Sequence, residues 1–191
     1  MSAPFATQIL GWKQPSKTSQ QPVPNSADST NGSSKAIAGR ILQLLGVPDD
    51  SEPPVDPKTL GPRLERLVQR HLEADLMAVA PERKWVVDHK NVISDFYQYG
   101  HLRNLQSAVN RDPVLSADLG FDYLIKPDVT VGLLGAVADM DRQPFLHAAV
   151  SCKWTIRSDR VQNIRHECLQ MIKHRRGRLP HLVAVTAEPL P

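Results

Sequence analysis

The C-terminal half of the chain alternates between strand-like and helix-like patterns, and this alternation most constrains the fold. Three apolar runs, Val129–Leu134, Leu146–Lys153 and His181–Thr186, have the length and the boundaries of β-strands. Between the last two, Asp159–His174 places apolar side chains at helical spacing. The side chains predicted to face inward are Val161, Ile164, Cys168, Met171 and Ile172. Strands that alternate with a helix predict a mixed α/β domain.

The N-terminal part has a different composition. Residues 14–35 are dense in Ser, Pro, Gln and Asn and contain almost nothing that can be buried, so we predict a partly disordered arm over residues 1–35 and a folded domain over residues 36–191. Ser34 is predicted to cap a helix over Ala36–Leu45. The apolar residues that share a face of this helix are Ile37, Ile41, Leu44 and Leu45.

The middle of the chain contains four further predicted elements. Apolar residues recur at helical spacing from Thr59 up to the break at Pro81, and again over Ser94–Val109. Lys84–Asp88 and Phe121–Ile125 have the pattern of short strands. These elements complete the α/β pattern and show no internal repeat.

Cysteine content and hydropathy bound the class of protein. The 191 residues include two cysteines, too few for a disulfide framework and typical of a reducing compartment. No stretch approaches 18 consecutive apolar residues, and the N-terminus lacks the basic start of a signal peptide. We therefore expect a soluble, cytoplasmic protein with no membrane partner.

The net charge of +3 is distributed unevenly along the chain. Residues 151–191 contain eight Lys and Arg residues and three acids, a net charge of +5, so the first 150 residues carry −2. A basic segment of this kind is compatible with a nucleic-acid partner. A solvated helix and loop would give the same composition.

Polar residues flank two of the predicted strands. Asp128 opens the first strand, and Ser151, Cys152 and Lys153 close the second. Alternate strand residues share a face, so Ser151 and Lys153 point one way and Cys152 the other. If the two strands are neighbours, the Asp128 carboxylate and the Lys153 ammonium group converge. Metal-dependent phosphodiesterases need this chemistry, with a carboxylate that holds Mg²⁺ and a lysine near the scissile phosphate.

Such a site needs a second acid, and Ser151 is a poor ligand for a hard cation. Glu167 on the following helix and Glu65 on the earlier long helix are the candidates. The same residues also have ordinary structural explanations, because Asp128 can cap a turn and Glu167 can pair with a basic neighbour on an exposed helix face. The dipeptide Pro-Asp and the tripeptide Ser-x-Lys are common by chance.

The segment after Lys153 has the side chains needed to read G·C base pairs. Arg157 and Arg160 can each donate two hydrogen bonds to guanine, and Asp159 can accept one from cytosine. Alternatively, Asp159 caps the helix and neutralises the arginines. Basic residues further on would suit DNA phosphates: Lys173, Arg175, Arg176 and Arg178.

One long motif adds a resemblance to this chemistry. The sequence SCKWTIRSDR, Ser151–Arg160, within the run from His147 to Pro189, closely resembles type II restriction endonucleases of the CCGG family, of the NgoMIV kind, in the PD-(D/E)xK nuclease superfamily. Weaker similarity covers YLIKPD, YQYGHL, the helix with Glu65 and NSADS. The resemblance implies a restriction-endonuclease-like core, a mixed central sheet flanked by helices, which we expect to be shortened at its C-terminus.

The resemblance also implies a role for each candidate residue. Asp128 would bind the metal together with Glu167 and the backbone carbonyl of Cys152, and Lys153 would be the catalytic lysine. Ser151 would occupy the usual acidic position, and Glu65 would be an additional active-site carboxylate. The base-reading residues would be Arg157, Asp159 and Arg160.

The implied function is a Mg²⁺-dependent type II restriction endonuclease that cuts double-stranded DNA at a palindromic CCGG-containing site, which is GCCGGC for the NgoMIV kind. A two-fold site calls for at least a homodimer, and the family suggests a homotetramer. A cognate DNA methyltransferase is the expected functional partner. Two alternatives stay open: a catalytically inactive DNA-binding remnant of such an enzyme, and a fragment that does not fold stably.

Overall fold

The computed structural model of the chain describes residues 4–13, 21–28, 30–48, 59–89, 91–119, 123–135, 143–156 and 158–188. These ranges contain six β-strands and five α-helices. The strands are β1 (Trp12–Lys13), β2 (Val23–Pro24), β3 (Lys84–His89), β4 (Val129–Leu134), β5 (Phe145–Lys153) and β6 (His181–Thr186). The helices are α1 (Gly32–Leu44), α2 (Leu60–Val79), α3 (Gly100–Val109), α4 (Pro113–Leu119) and α5 (Ser158–His174).

The chain divides into two compact units that are each assembled from separate stretches of sequence. The first unit comprises Met1–Leu67, Cys152–Ser158 and Val185–Pro191, and the second comprises Val68–Ser151 and Asp159–Ala184. The predicted division into an arm over residues 1–35 and a domain over residues 36–191 stays a prediction.

A four-stranded mixed sheet has the order β3-β4-β5-β6. β3 pairs antiparallel with β4, and β4 antiparallel with β5. The helix α5 connects β5 to β6, and the first residue of β6, His181, contacts His147 near the start of β5. β5 and β6 therefore run in the same direction, as expected of a β-α-β crossover. The predicted mixed α/β fold is confirmed.

A β-bulge in β5 decides which side chains share a face of the sheet. Val131 pairs with Ala148, whereas the next residue, Gly132, pairs with Leu146, so His147 is the extra residue of the bulge. Bulges re-aim a side chain and interrupt the alternation of faces. The pair Thr130 and Ala149 lies on the face that continues to Ser151, and His147 is turned to the opposite face.

The face with Gly132 packs against the apolar core of the second unit. A Cβ atom at Gly132 would lie 2.8 Å from Pro144 Cβ and 3.3 Å from the Phe96 ring, so glycine is required for this close approach. Phe96, Tyr99 and Met171 are almost fully buried in the same cluster. The core is thus built from the segment before α3, from β5 and from α5.

A buried glutamine fastens the start of β5 to this core. Gln98 is fully buried, and its side chain accepts a hydrogen bond from the Leu146 N–H and donates one to the Leu146 carbonyl, both at 2.8 Å. The Tyr99 hydroxyl donates to the Met171 carbonyl at 3.0 Å, which joins the same segment to α5. Burial raises the pKa of Tyr99 to about 12.

The first unit contains a short hairpin that composition does not predict. Trp12 pairs with Pro24 in the β1–β2 ladder. Asn25 accepts a hydrogen bond from the Gly11 N–H and donates to the Ile9 carbonyl. Residues 23–27 are buried, so the expectation that residues 14–35 hold almost nothing that can be buried is wrong for this part. A polar side chain can be buried when its hydrogen bonds are satisfied, as those of Asn25 are.

Helix α1 begins earlier than predicted and buries a different face. Its N-cap is Asn31, whose side chain accepts from the Ser34 N–H at 3.1 Å, so the prediction that Ser34 is the cap is wrong. Asparagine caps a helix as well as serine does, and it stands one turn earlier. The buried residues of α1 are Ser34, Ala38 and Leu42. The residues predicted to share an apolar face are exposed or half-buried: Ile37, Ile41, Leu44 and Leu45.

Three other predictions differ from the structure. Tyr123–Ile125 is not a strand, and residues 121–122 lie outside the described residues. The region predicted as a helix from Ser94 is an α-helix only from Gly100 onward. Val161 and Ile172 of α5 are exposed rather than inward, because Met171 is the residue that α5 buries. Among the described helices, none combines the length and the apolar character needed to cross a lipid bilayer.

Candidate active site and nucleic-acid interface

The sheet register brings Asp128 to Ser151. Val129 pairs with Val150, so Asp128, one residue earlier, lies across from Ser151, one residue later, at the end of the antiparallel ladder. Neighbouring strands are about 4.8 Å apart. The expectation that these two strands are neighbours is therefore confirmed, and the register places Asp128 and Ser151 at the same end of the ladder.

Helix α5 brings Glu167 to the same place. The Ser151 hydroxyl oxygen lies 3.5 Å from Oε2 of Glu167, at the outer limit of a hydrogen bond. Ser151 is buried, and Glu167 is half-buried. Two carboxyl-bearing residues, Asp128 and Glu167, thus flank one serine of the second unit. The prediction that Glu167 is a displaced acid and the catalytic roles of both residues stay predictions.

Lys153 is the last residue of β5. Strand alternation puts it on the same face as Ser151, two residues earlier, while the buried Cys152 between them points to the other face. Lys153 and Cys152 belong to the first unit. The residues after them are anchored there, because the Trp154 indole donates to the Asn25 carbonyl at 3.3 Å and the Ile156 N–H donates to Glu188 at 2.9 Å.

Glu65 lies in the second turn of α2, within the first unit, and is half-buried. Its predicted place among the catalytic carboxylates stays a prediction.

Two of the three predicted base-reading residues stand at the start of α5. Asp159 and Arg160 are the second and third residues of the helix, Asp159 exposed and Arg160 half-buried. Asp159 therefore lies inside the first turn, where a carboxylate favours the helix dipole, rather than in the cap position. Arg157 lies outside the described residues.

The basic residues predicted to contact phosphates lie at the opposite end of α5. Lys173 is in its last turn, and Arg175, Arg176 and Arg178 follow in the connection to β6. The Arg176 N–H donates to the Gln98 carbonyl at 2.9 Å, beside the start of β5. The structure does not bring these four residues together with Asp128 and Glu167.

A cluster that sequence reasoning missed lies at this same end of the sheet. The ring of His147 lies 5.1 Å from that of Trp85 and 5.0 Å from that of His181, and the Arg83 guanidinium lies 5.7 Å from the Trp85 ring. We call these four residues the distal histidine cluster. Burial, followed by the positive charges of His181, Arg178 and Arg83, lowers the pKa of His147. No local pattern reveals the cluster, because it depends on the bulge at His147.

The donor set near Ser151 suits a hard divalent cation. Within the part of the chain that the structure describes, no group of three or more His, Cys, Asp or Glu residues is arranged to hold a metal ion. Asp128 and Glu167 supply two carboxylates and no nitrogen or sulfur. Mg²⁺ is commonly bound by one or two carboxylates, with backbone, water or phosphate oxygens as its other ligands. The residues present therefore fit Mg²⁺ better than a metal that needs imidazole or thiolate ligands.

Comparisons with known proteins agree with this chemistry. The family model described as NgoMIV restriction enzyme matches residues 13–141 and 133–191. Type II restriction enzyme NgoMIV of Neisseria gonorrhoeae is 36% identical over 203 aligned positions, which cover 91% of this chain and 71% of that protein. The matched ranges span strands β2 to β6 and helix α5, so the resemblance carried by SCKWTIRSDR is confirmed. The chain therefore belongs to the NgoMIV restriction enzyme family and is a type II restriction endonuclease.

Proposed function

We propose that the enzyme hydrolyses both strands of duplex DNA at a palindromic CCGG-containing site, GCCGGC, in a Mg²⁺-dependent reaction. The observation that carries this proposal is the pair of acids, Asp128 and Glu167, on either side of Ser151. Glu167 belongs to the helix whose first turn contains the base-reading candidates Asp159 and Arg160. One helix therefore connects sequence recognition to cleavage.

The metal site proposed here uses oxygen ligands from adjacent residues. The carboxylates of Asp128 and Glu167 would hold Mg²⁺, and the backbone carbonyl of Cys152, the residue after Ser151, would be a third ligand. When bound, Mg²⁺ would supply positive charge to the scissile phosphate and lower the pKa of the attacking water. Ser151 donates its hydroxyl hydrogen toward Glu167 and so keeps that carboxylate aimed at the end of the ladder.

Lys153 has a separate role in the proposal. Its ammonium group, on the Ser151 face of β5, would stabilise the negative charge that develops on the attacked phosphate and orient the attacking water. Glu65 would contribute an additional carboxylate. Both assignments are supported by the family to which the chain belongs.

Base recognition is assigned to the segment around the start of α5. Arg157 and Arg160 would each contact a guanine in the major groove, and Asp159 would accept a hydrogen bond from cytosine. The N-terminal end of a helix presents its free N–H groups to DNA, which suits this position. The basic residues in the last turn of α5 and just after it would contact backbone phosphates away from the cleaved step: Lys173, Arg175, Arg176 and Arg178.

The proposed assembly follows from the symmetry of the site. A palindrome presents two identical half-sites, so we expect at least a homodimer and, by analogy with the family, a homotetramer. A cognate DNA methyltransferase would protect the host DNA. We place the enzyme in the cytoplasm together with that DNA.

Cleavage of defined DNA tests the proposal. Plasmids with and without a GCCGGC site are incubated with the protein in the presence and absence of Mg²⁺, and an Asp128→Asn variant is the control. We expect Mg²⁺-dependent cuts only in the plasmid with the site, and none with the variant, which should still shift the same DNA in Ca²⁺. Cleavage by Asp128→Asn would contradict the site assignment. Binding without cleavage by the unaltered protein would favour the inactive DNA-binding remnant.

A further inference from the structure

We infer that a cleft in the first unit, between the β1–β2 hairpin and α1, binds the phosphate backbone of duplex DNA through Lys35 and Arg40. This inference rests on the proposed function, since it requires a DNA ligand. It adds a contact surface that is separate from the catalytic and base-reading residues.

The cleft has a defined wall. Its volume is about 500 Å³, within the range of about 300–1,000 Å³ that is typical of ligand sites. Trp12 and Pro24, paired across the hairpin, approach Gly39 of α1, where a Cβ atom would lie 3.4 Å from the indole and 4.0 Å from the proline ring. Trp12 is 9% exposed, so the hairpin holds one side of the cleft in place.

The chemistry of the cleft favours an anion. Lys35 and Arg40 line it, and none of the ten described lining residues is acidic. Gln21 and Gln43 add side-chain amides that can donate hydrogen bonds. The Trp12 indole N–H, in the same wall, is buried and has no acceptor among the described residues.

Helix α1 does not neutralise its own cations. Lys35 and Arg40 are the charged residues of its sequence, GSSKAIAGRILQL, and its first turn contains no acid. Within the described part of the chain, neither side chain forms an ion pair with a carboxylate. Two unneutralised cations beside amide donors suit an extended anion better than an apolar partner.

The spacing of the two cations fits a polyanion. Arg40 follows Lys35 by five positions, which is about 7.5 Å along the helix axis. Duplex DNA carries one negative charge for about every 1.7 Å of its axis. The two side chains can therefore contact different phosphates of one duplex, and each contact releases counterions on binding.

Salt dependence of binding tests the cleft directly. Affinity for a GCCGGC duplex is measured in Ca²⁺ from about 50 to about 200 mM salt for the unaltered protein, Lys35→Gln, Arg40→Gln and the double variant. The slope of log affinity against log salt is negative, and each lost contact should reduce its magnitude by about 0.9. In the double variant the magnitude should fall by about 1.8. Between these two salt concentrations, the fold-loss of affinity should be about 3.5 times smaller for each contact that is lost. Site preference and cleavage at low salt should be retained.

A matched pair of substitutions distinguishes DNA binding in the cleft from a general effect of the charge of α1. Ala36→Glu places a carboxylate in the cleft, whereas Leu44→Glu places one on the same helix at a residue that is 72% exposed and does not line it. We expect Ala36→Glu to weaken binding at least about tenfold more than Leu44→Glu does, with circular dichroism confirming that both variants are folded. Equal weakening by the two, or unchanged salt slopes for Lys35→Gln and Arg40→Gln, would overturn the inference. No DNA binding by the unaltered protein would instead overturn the proposed function.

Discussion

The two ends of strand β5 differ in chemistry. Its C-terminal end places Ser151 between Asp128 and Glu167. Near its N-terminal end, the ring of His147 makes an edge-to-face contact with Trp85 and a tilted contact with His181. Ser151 follows His147 by four positions, a distance of about 13 Å along the strand. One end is therefore suited to hold a cation, and the other gathers cations and aromatic rings.

This difference shows that a charged run in the sequence need not form one surface. The basic segment 151–191 includes α5, which is 17 residues long and spans about 25 Å. Arg160 lies in its first turn, and the connection that follows its last turn places Arg176 and Arg178 near the start of β5. Basic residues from one stretch of sequence thus lie in two distant regions, one near each end of β5. The predictions below test whether those regions have different functions.

Removing one carboxylate near each end of β5, in two separate variants, should give the largest difference in the rate of cleavage. Glu167→Gln removes a proposed metal ligand and should reduce the rate of cleavage by about 10²–10⁴-fold, because metal ligation contributes several kcal/mol to catalysis at 1.36 kcal/mol per factor of ten. Glu82→Gln removes an exposed carboxylate near Arg83 and should leave the rate unchanged. Single-turnover cleavage of a GCCGGC duplex measures both, and similar losses in both variants would show that the two ends do not differ in catalytic role.

Replacing Gln98 tests whether the distal end is mainly structural. Gln98→Leu leaves the buried N–H and carbonyl of Leu146 without their partner and should lower the free energy of unfolding by about 2–6 kcal/mol, at roughly 1–3 kcal/mol for each group. Urea denaturation measures the change, and the exposed Gln162→Leu is the control, with an effect within about 0.5 kcal/mol. Glu167→Gln should not change stability to this extent. A decrease in the free energy of unfolding of less than about 1 kcal/mol for Gln98→Leu would contradict the importance of its hydrogen bonds to Leu146.

Arginine substitutions at the two ends should separate base reading from phosphate contact. Arg160→Ala should reduce discrimination between GCCGGC and a site with one altered base pair by about 1–3 kcal/mol. Arg178→Ala should weaken binding to all sequences alike and lower the salt slope by about 1. Competition binding with both duplexes measures the two effects. If Arg178→Ala alone changed site preference, the assignment of the two ends would be reversed.

The smallest expected effect is a pH dependence of stability from the distal histidine cluster. The pKa of His147 lies below its usual value of 6.5, so the unfolded chain takes up the proton first as the pH falls. The stability contributed by neutral His147 is therefore present above about pH 6.5 and is lost as the pH falls toward the lowered pKa. His147→Phe, which retains a ring and cannot titrate, should show a smaller decrease in melting temperature between about pH 7 and about pH 5 than the unaltered protein. An identical decrease would show that His147 does not contribute.

Much of the fold could be predicted because local patterns encode it. β4 and β6 begin and end at the predicted residues, and β5 and α5 each begin one residue earlier than predicted. Their apolar periodicity depends only on neighbours within a few residues. The hairpin of Trp12 and Pro24 could not be predicted, because two-residue strands in a polar segment are fixed by the hydrogen bonds of Asn25.

The candidate site was predictable in its residue types and less so in its geometry. The motif from Ser151 to Arg160 indicated the family, and the order of elements placed Asp128 just before one strand and Lys153 at the end of the next. The sequence could not show that the β4–β5 ladder ends with Val129 opposite Val150. It also could not show that the turn of α5 that contains Glu167, rather than a neighbouring turn, faces Ser151. Such contacts depend on how a helix packs on a sheet, which sequence spacing alone leaves open.

The sequence by itself determined the family, the strand and helix order of the C-terminal half, and the chemical groups available for DNA cleavage, because these follow from short motifs and local periodicity. Tertiary structure decided where those groups lie. The bulge turned His147 away from the face that carries Ser151, the β4–β5 register placed Asp128 and Ser151 at the same end of the ladder, and the packing of α5 brought Glu167 to Ser151. The physical reason is that strand register and helix packing are set by contacts between residues that are distant in sequence, so a basic run of 41 residues could be divided between two ends of one sheet.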